Sequence, residues 1–430
     1  MRLLIAAGGT GGHIYPALAV ARSLQSHNSQ RSDANELAWL GGHRGLEAGI
    51  VRVAGFPIRL LALRSLRSVE LSPHAVLDPL RLGASIPQAT AILARERPAA
   101  IFTTGGYVAI PVLMAAAALR IPVAMWEGNV IPGRSVRATA RLADVLAVSF
   151  PGTCARLGRG DGSSRSCFVT GTPIRDTRGI DRLAARQRLG IPSDARVLLV
   201  FGGSQAVRRF NGAVAGALPR LVERAFVLHV TGDAGYAEAL SGREALPADI
   251  RDRYRPYPFL RDEMLPALAA ADLVVGRAGS STLAEVTALG LPMVVVPYPH
   301  AAGHQRANAR VLVEAGGASF VEDEDFDAEA LLEAAEILHD PARHAAMSAA
   351  SRALGRPGAA DAVARLVLAI ADRRPLPDGA EVDRLSRGAR PGSPPAREAA
   401  GRATQSASEA ATQPGSDEAS EAATQADADR

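Results

Sequence analysis

Three times in this chain a short apolar run passes straight into a glycine-rich turn and then into a helical pattern. Residues 3–7 lead into Gly8-Gly9-Thr10-Gly11-Gly12-His13, residues 100–104 into Gly105-Gly106-Tyr107, and residues 197–201 into Gly202-Gly203-Ser204-Gln205. Strands that hand over to helices in this way build parallel sheets, because parallel neighbours need a crossover between them. Further short apolar runs keep the rhythm, at 37–40, 58–61, 123–126, 145–148 and 168–170, then at 226–230, 273–275, 293–296 and 319–321. The pattern predicts an α/β chain with parallel sheets covered by helices on both faces. At 430 residues it is too long for one ordinary core. The rhythm pauses in TGTPIRDTRG, residues 170–179. Two Rossmann-like domains facing a cleft are therefore expected, 1–172 and 173–356.

The last stretch differs in kind. From 376 to 430 it is Ala, Ser, Gly, Pro, Glu and Arg, and it carries SEAATQ twice. Such a segment buries too little surface to offset its ordering entropy, so it is expected to be a disordered and dispensable tail.

Composition excludes several classes. All 48 basic residues are Arg, and the net charge of +4 is too small to argue for nucleic acid. Two cysteines, Cys154 and Cys167, are expected to be spare core thiols in a reducing compartment, without a disulfide or a zinc site. Neither the five apolar residues after Arg2 nor the run 109–119 makes a signal peptide or a membrane span, which needs ~20 apolar residues. A soluble cytoplasmic protein is expected, one still able to rest on a membrane.

The glycine turns are candidate anion sites, since free amides and the helix dipole meet there and glycine lets a ligand approach. The first is neither a dinucleotide fingerprint, because Ile14 stands where the third glycine belongs, nor a P-loop, because no Gly-Lys-Ser/Thr follows. His13 lies just past the glycines, where a neutral imidazole can take a proton from a sugar hydroxyl. A second cluster, residues 277–285 (RAGSSTLAE), opens a helix after the run 273–275. Its Ser280 or Ser281 can cap that helix, and Glu285 suits two vicinal ribose hydroxyls. Polar residues from His300 to Asn308 again follow a strand. Asp323-Glu324-Asp325 and the histidines offer no convincing metal spacing, and no metal is predicted.

Together these residues resemble the MurG family, the bacterial transferases that add N-acetylglucosamine (GlcNAc) to undecaprenyl-diphospho-muramoyl-pentapeptide (lipid I). GGTGGHIYPALAVA, GGYV, WEGNVIPG, TGTPIR, GGSQ, RAGSSTLAE and HQRANA occur in that family's order over residues 1–372. The resemblance implies the GT-B fold, UDP-GlcNAc as donor, no cofactor, no required metal, and a final helix, 357–373, that crosses back to the first domain. It places Thr10, Gly11 and Gly12 near the donor diphosphate, with His13 as base. It assigns Asn129, Arg175, Ser204, Leu260, Ser280, Ser281, Thr282, Leu283, Ala284, Glu285 and Gln305 to the donor, and Gly105, Gly106 and Tyr107 to an acceptor or phosphate loop. The chain departs from the family where Trp126-Glu127-Gly128-Asn129 replaces the frequent His-Glu-Gln-Asn, after GGSQ, and after GGYV. A lipid-linked acceptor implies a peripheral enzyme on the cytoplasmic face of the inner membrane, with cell-wall synthesis proteins as neighbours. The segment 60–97 mixes Leu63, Leu66, Leu71, Val76, Leu77, Leu80 and Leu82 with Arg64, Arg67 and Arg81, an interfacial composition. Its prolines, Pro73, Pro79 and Pro87, predict short pieces over one long helix. The rival readings are a UDP-GlcNAc 2-epimerase, a transferase for another lipid or aglycone, and a non-enzymatic nucleotide-sugar sensor.

Overall fold

The computed structural model describes residues 1–28, 36–43, 46–63, 74–159, 166–203, 208–301 and 303–388. Seven strands, β1 (Arg2–Ala6), β2 (Glu36–Gly42), β3 (Ile58–Leu61), β4 (Ala100–Thr103), β5 (Val123–Glu127), β6 (Val145–Val148) and β7 (Ser166–Val169), form one sheet in the order β3-β2-β1-β4-β5-β6-β7. Six more, β8 (Val197–Phe201), β9 (Phe226–Val230), β10 (Tyr254–Tyr257), β11 (Leu273–Gly276), β12 (Met293–Val295) and β13 (Ala318–Phe320), form a second in the order β10-β9-β8-β11-β12-β13. Neighbours in both sheets run parallel. Central strands such as β4, β6, β8 and β11 are buried along their whole length because helices cover both faces. The sequence reading missed β10, whose YRPY carries no apolar run. It lies at a sheet edge, where Pro256 costs no ladder bond on the open side.

The helix Ala359–Ala371 returns to the first sheet. Its Ala362, Val363, Leu366 and Val367 share a core with Leu3, Ile5, Ile14 and Ala17. The expected tail begins too early. Residues 379–386 form a helix, capped by Asp378 through the Glu381 amide, and Val382 and Leu385 enter that same core. Two apolar side chains three positions apart suffice for one turn-deep contact, which an average over 55 residues hides. The rest of the predicted tail, 389–430, lies outside the described residues.

Two other expectations are corrected. Cys154 and Cys167 are joined in a disulfide, and neither is a core thiol. The short helix Gly152–Arg156 folds back against the edge strand β7 and brings their Cα atoms to 6.0 Å, a bridgeable span. The interfacial segment is also more regular than predicted: His74–Glu96 is one helix that includes Pro79 and Pro87. Its second half is held by packing, with Ala89 and Leu93 buried, which offsets the missing helix bonds. Leu63 is buried in the same core. Arg64, Leu66, Arg67 and Leu71, and the side chains of Val76, Leu77 and Leu80, lie outside the description. Among the described residues no helix is long and apolar enough to cross a membrane.

Candidate active site

In each sheet the connections leave the first two central strands in opposite directions, at β1/β4 and at β8/β11, and this opens a crevice at the carboxyl ends of the strands. The first glycine turn fills one crevice. It leads from β1 into the helix Gly11–Asn28, and Thr10 accepts from the amides of His13 and Ile14 through its carbonyl. The His13 Nδ1 lies 2.8 Å from the Thr104 carbonyl, and the Thr104 hydroxyl donates back to the His13 carbonyl at 3.0 Å. A carbonyl only accepts, so Nδ1 carries a proton, and in the neutral ring that leaves the lone pair on Nε2. Gly106, at φ 76°, passes close by: a Cβ there would lie 3.8 Å from Nε2 and 3.2 Å from the Gly8 carbonyl oxygen.

Tyr107 of the second glycine turn faces inward. Its hydroxyl donates to Glu47 at 2.9 Å, so it supports the loop and presents no hydroxyl to a ligand. Burial and the Glu47 charge push the Tyr107 hydroxyl well above its ordinary pKa, which keeps it a donor. Glu47 was not found from sequence, because its partners lie 5, 38 and 60 positions away.

Asn129 joins the two halves. Glu127, at the end of β5, accepts from the Asn129 amide and side chain and from the Gly133 amide, and so shapes the turn. Across the cleft the buried Asn308 donates to Asn129 at 3.0 Å and accepts from the Val130 amide at 3.0 Å. His304 reaches the Ile131 carbonyl at 2.8 Å. The unusual Trp126-Glu127-Gly128-Asn129 has a steric reason. The buried Trp126 indole donates to the Gly171 carbonyl and fills the space a side chain at 128 would need. A Cβ on Gly128 would meet Trp126 at 2.5 Å and the Ser280 hydroxyl at 2.9 Å.

The second half contributes the helix Ser280–Leu289, which starts after Gly279 and touches the helix Gly11–Asn28. Ser280, Ser281 and Thr282 form its first turn, and Leu283 anchors it in the core below. Glu285 accepts from Arg175 Nε at 2.9 Å, and Arg175 Nη1 also reaches the Arg261 carbonyl at 3.2 Å. Burial pushes the Glu285 carboxyl above its ordinary pKa, while Arg175 opposes the shift. Leu260 is buried in the core of the second half. Gln305 accepts from the Tyr298 amide at 2.9 Å, which fixes its carbonyl end. Ser204 lies outside the described residues. Arg277 belongs to the frame: it donates to the Val296 and Pro297 carbonyls, pairs with Asp323 and stacks on Phe210 at 4.7 Å. Among the described residues, no three His, Cys, Asp or Glu side chains gather as a metal group.

Two linked parallel sheets, with glycine turns on one side and a helix-borne carboxylate on the other, define a GT-B-type glycosyltransferase. The glycosyltransferase family 28 N-terminal domain matches residues 3–148, and the family 28 C-terminal domain matches residues 197–365. The UDP-N-acetylglucosamine--N-acetylmuramyl-(pentapeptide) pyrophosphoryl-undecaprenol N-acetylglucosamine transferase of Desulforudis audaxviator is 39% identical, over 87% of this chain and 99% of that protein. The protein of the same name from Anaeromyxobacter sp. is 37% identical, over 87% of this chain and 94% of its own length. The crystal structure of Acinetobacter baumannii MurG superposes with a TM-score of 0.67 at 26% identity, covering 85% of this chain and 99% of that one. A putative UDP-N-acetylglucosamine 2-epimerase from Listeria monocytogenes, at 14% identity and a TM-score of 0.63, covers 88% of this chain and 98% of its own and shares the fold alone. The chain belongs to the MurG family of N-acetylglucosaminyltransferases.

Proposed function

We propose that this chain moves GlcNAc from UDP-GlcNAc to the 4-hydroxyl of undecaprenyl-diphospho-MurNAc-pentapeptide, forming lipid II for peptidoglycan. One observation carries the catalytic reading: the His13 imidazole sits at the β1/β4 crevice with Nδ1 committed to Thr104. Its Nε2 is thus an acceptor aimed past the second glycine turn. In the reaction the acceptor oxygen attacks the anomeric carbon from the face opposite UDP. The new C–O bond forms as the bond to the diphosphate breaks, UDP leaves with the electron pair, and Nε2 takes the hydroxyl proton. The configuration inverts from α to β.

Charge develops on the departing diphosphate. We assign the amides of Gly11 and Gly12, the first turn from Ser280, and Arg175 to meet it, with Ser204 added by the family resemblance alone. Glu285 takes the ribose hydroxyls, the Leu260 backbone takes uracil, and Asn129 with the Gln305 amide takes GlcNAc hydroxyls. The Asn129–Asn308 bond supports this reading, because it sets a donor contact from one half against the other half. Placing both substrates between two halves supplies orientation and excludes water.

The acceptor's lipid stays in the bilayer, so the enzyme works on the cytoplasmic face. The helices His74–Glu96 and Ala109–Leu119 pack together on the first sheet, and Met114 and Leu119 are exposed beside Arg120. Apolar side chains next to Arg suit anionic headgroups. The test of the reaction is UDP release from UDP-GlcNAc with and without a lipid I analogue. Stoichiometric UDP release that needs the acceptor is expected; conversion of the sugar without it would favour the epimerase reading.

A further inference from the structure

A fully buried carboxylate behind the first two glycine turns, Glu47, has no assigned role. Glu47 opens the short helix Glu47–Val53, whose preceding residue Leu46 offers no side-chain cap. A carboxylate is favoured at that end of a helix. Its side chain turns inward, is fully buried, and takes three donors: the Gly42 amide at 2.7 Å, the Tyr107 hydroxyl at 2.9 Å and the Gly9 amide at 3.1 Å. A carboxylate only accepts, so it meets all three at once. The backbone around it is cut to fit. A Cβ on Gly8 would lie 2.5 Å from the Glu47 carboxylate, and one on Gly42 would lie 2.4 Å from the Tyr107 hydroxyl.

These three donors come from three segments. Gly42 ends β2, Gly9 belongs to the turn just before His13, and Tyr107 belongs to the turn that runs past the His13 ring. His13 is held between the last two: its backbone amide donates to the Thr10 carbonyl, and its imidazole Nδ1 donates to the Thr104 carbonyl. Glu47 itself touches neither His13 nor the open crevice. Its bond to Gly9 also draws that amide inward, so the amides left for a ligand begin at Thr10.

We propose that Glu47 is the positioning residue for His13: by tying Gly9 and Tyr107 to one buried carboxylate, it fixes the two glycine turns that aim Nε2 at the acceptor. This rests on His13 being the base. Glu47→Gln keeps the size and places an amide donor against a donor. It should lower kcat roughly 10- to 100-fold, as small misplacements of reacting groups do. KM for UDP-GlcNAc and calorimetric UDP binding should stay within about twofold, because the donor binds mainly to the other half. The decisive readout is the double variant. If Glu47 acts through His13, Glu47→Gln adds no loss to His13→Ala; independent roles would multiply. Glu47→Asp should recover part of kcat. Should Glu47→Gln melt far below the wild type, Tyr107→Phe carries the same test with one donor removed, and it should lose about threefold or more in kcat. Multiplicative losses in a His13→Ala background, or a wild-type kcat in Glu47→Gln, overturn the positioning role. A near-wild-type His13→Ala instead overturns the base assignment beneath it.

Discussion

The two halves share one strand order around their central strands but hold their ligand-facing edges in different ways. In the first, the carboxylate lies behind the crevice and is turned inward: Glu47 is hydrogen-bonded by three neutral donors of its own half, and His13 is held by a backbone carbonyl. In the second, the charge stays at the cleft. Glu285 is met by Arg175, a side chain from the linker between the sheets, in a pair at 2.9 Å. The cores differ in the same sense. The second sheet is covered largely by its own helices, whereas the first borrows two helices from the end of the chain. On the proposed reading, the half that carries the base thus faces a half whose carboxylate, paired with Arg175, would exchange that partner for the donor ribose.

That contrast can be broken at several points. His13→Ala should have the largest effect, a fall in kcat of roughly 10²–10⁴-fold, with UDP binding by calorimetry unchanged. A kcat near the wild type would make His13 structural and remove the contrast. Ending the chain after Arg374 should come next. It removes the buried Val382 and Leu385, each contributing about 1.5–3 kcal/mol. A melting temperature lower by roughly 5–10 °C is expected. An unchanged melt would mean the first half does not need its C-terminal helix.

Glu285→Ala should follow, raising the donor KM and the UDP dissociation constant about tenfold or more through the lost charged hydrogen bonds. Unchanged UDP binding would leave Glu285 as a helix-end charge. The smallest effect should be in pH. Burial raises the Glu285 pKa, so acidification protonates it above the usual carboxylate range, and donor affinity should begin to fall there. Glu285→Gln should flatten that dependence of KM. The sign for stability is opposite: the folded state binds this proton more tightly than the unfolded chain, so this group's contribution to stability declines as pH rises through the same window.

What was legible in the sequence was local. Twelve of the thirteen strands coincide with short apolar runs, and the first glycine turn with His13 lies within six consecutive residues. β10 escaped because an edge strand need not be apolar. Glu47 escaped because nothing within its own helix marks it; its meaning lies in an amide 38 residues before it and a hydroxyl 60 after it. The Cys154–Cys167 pair was misread for a related reason. A count of two cysteines says nothing of a helix that folds back on an edge strand. The helix Gly379–Ser386 was lost to averaging, since two apolar residues were judged with a polar segment of 55.

The fit of Trp126 over Gly128 has a consequence for how such a sequence can drift. With the indole in place, any side chain at 128 collides with it before reaching Ser280. With a smaller ring at 126, the closest clash is removed, and only the Ser280 hydroxyl, 2.9 Å from a Cβ at 128, still has to turn aside. The two positions therefore cannot change in either order. A lineage leaving this arrangement must shrink the residue at 126 first, and a lineage entering it must lose the side chain at 128 before the indole arrives. Sequences that cross by the other route pass through a form that cannot close the turn leading to Asn129.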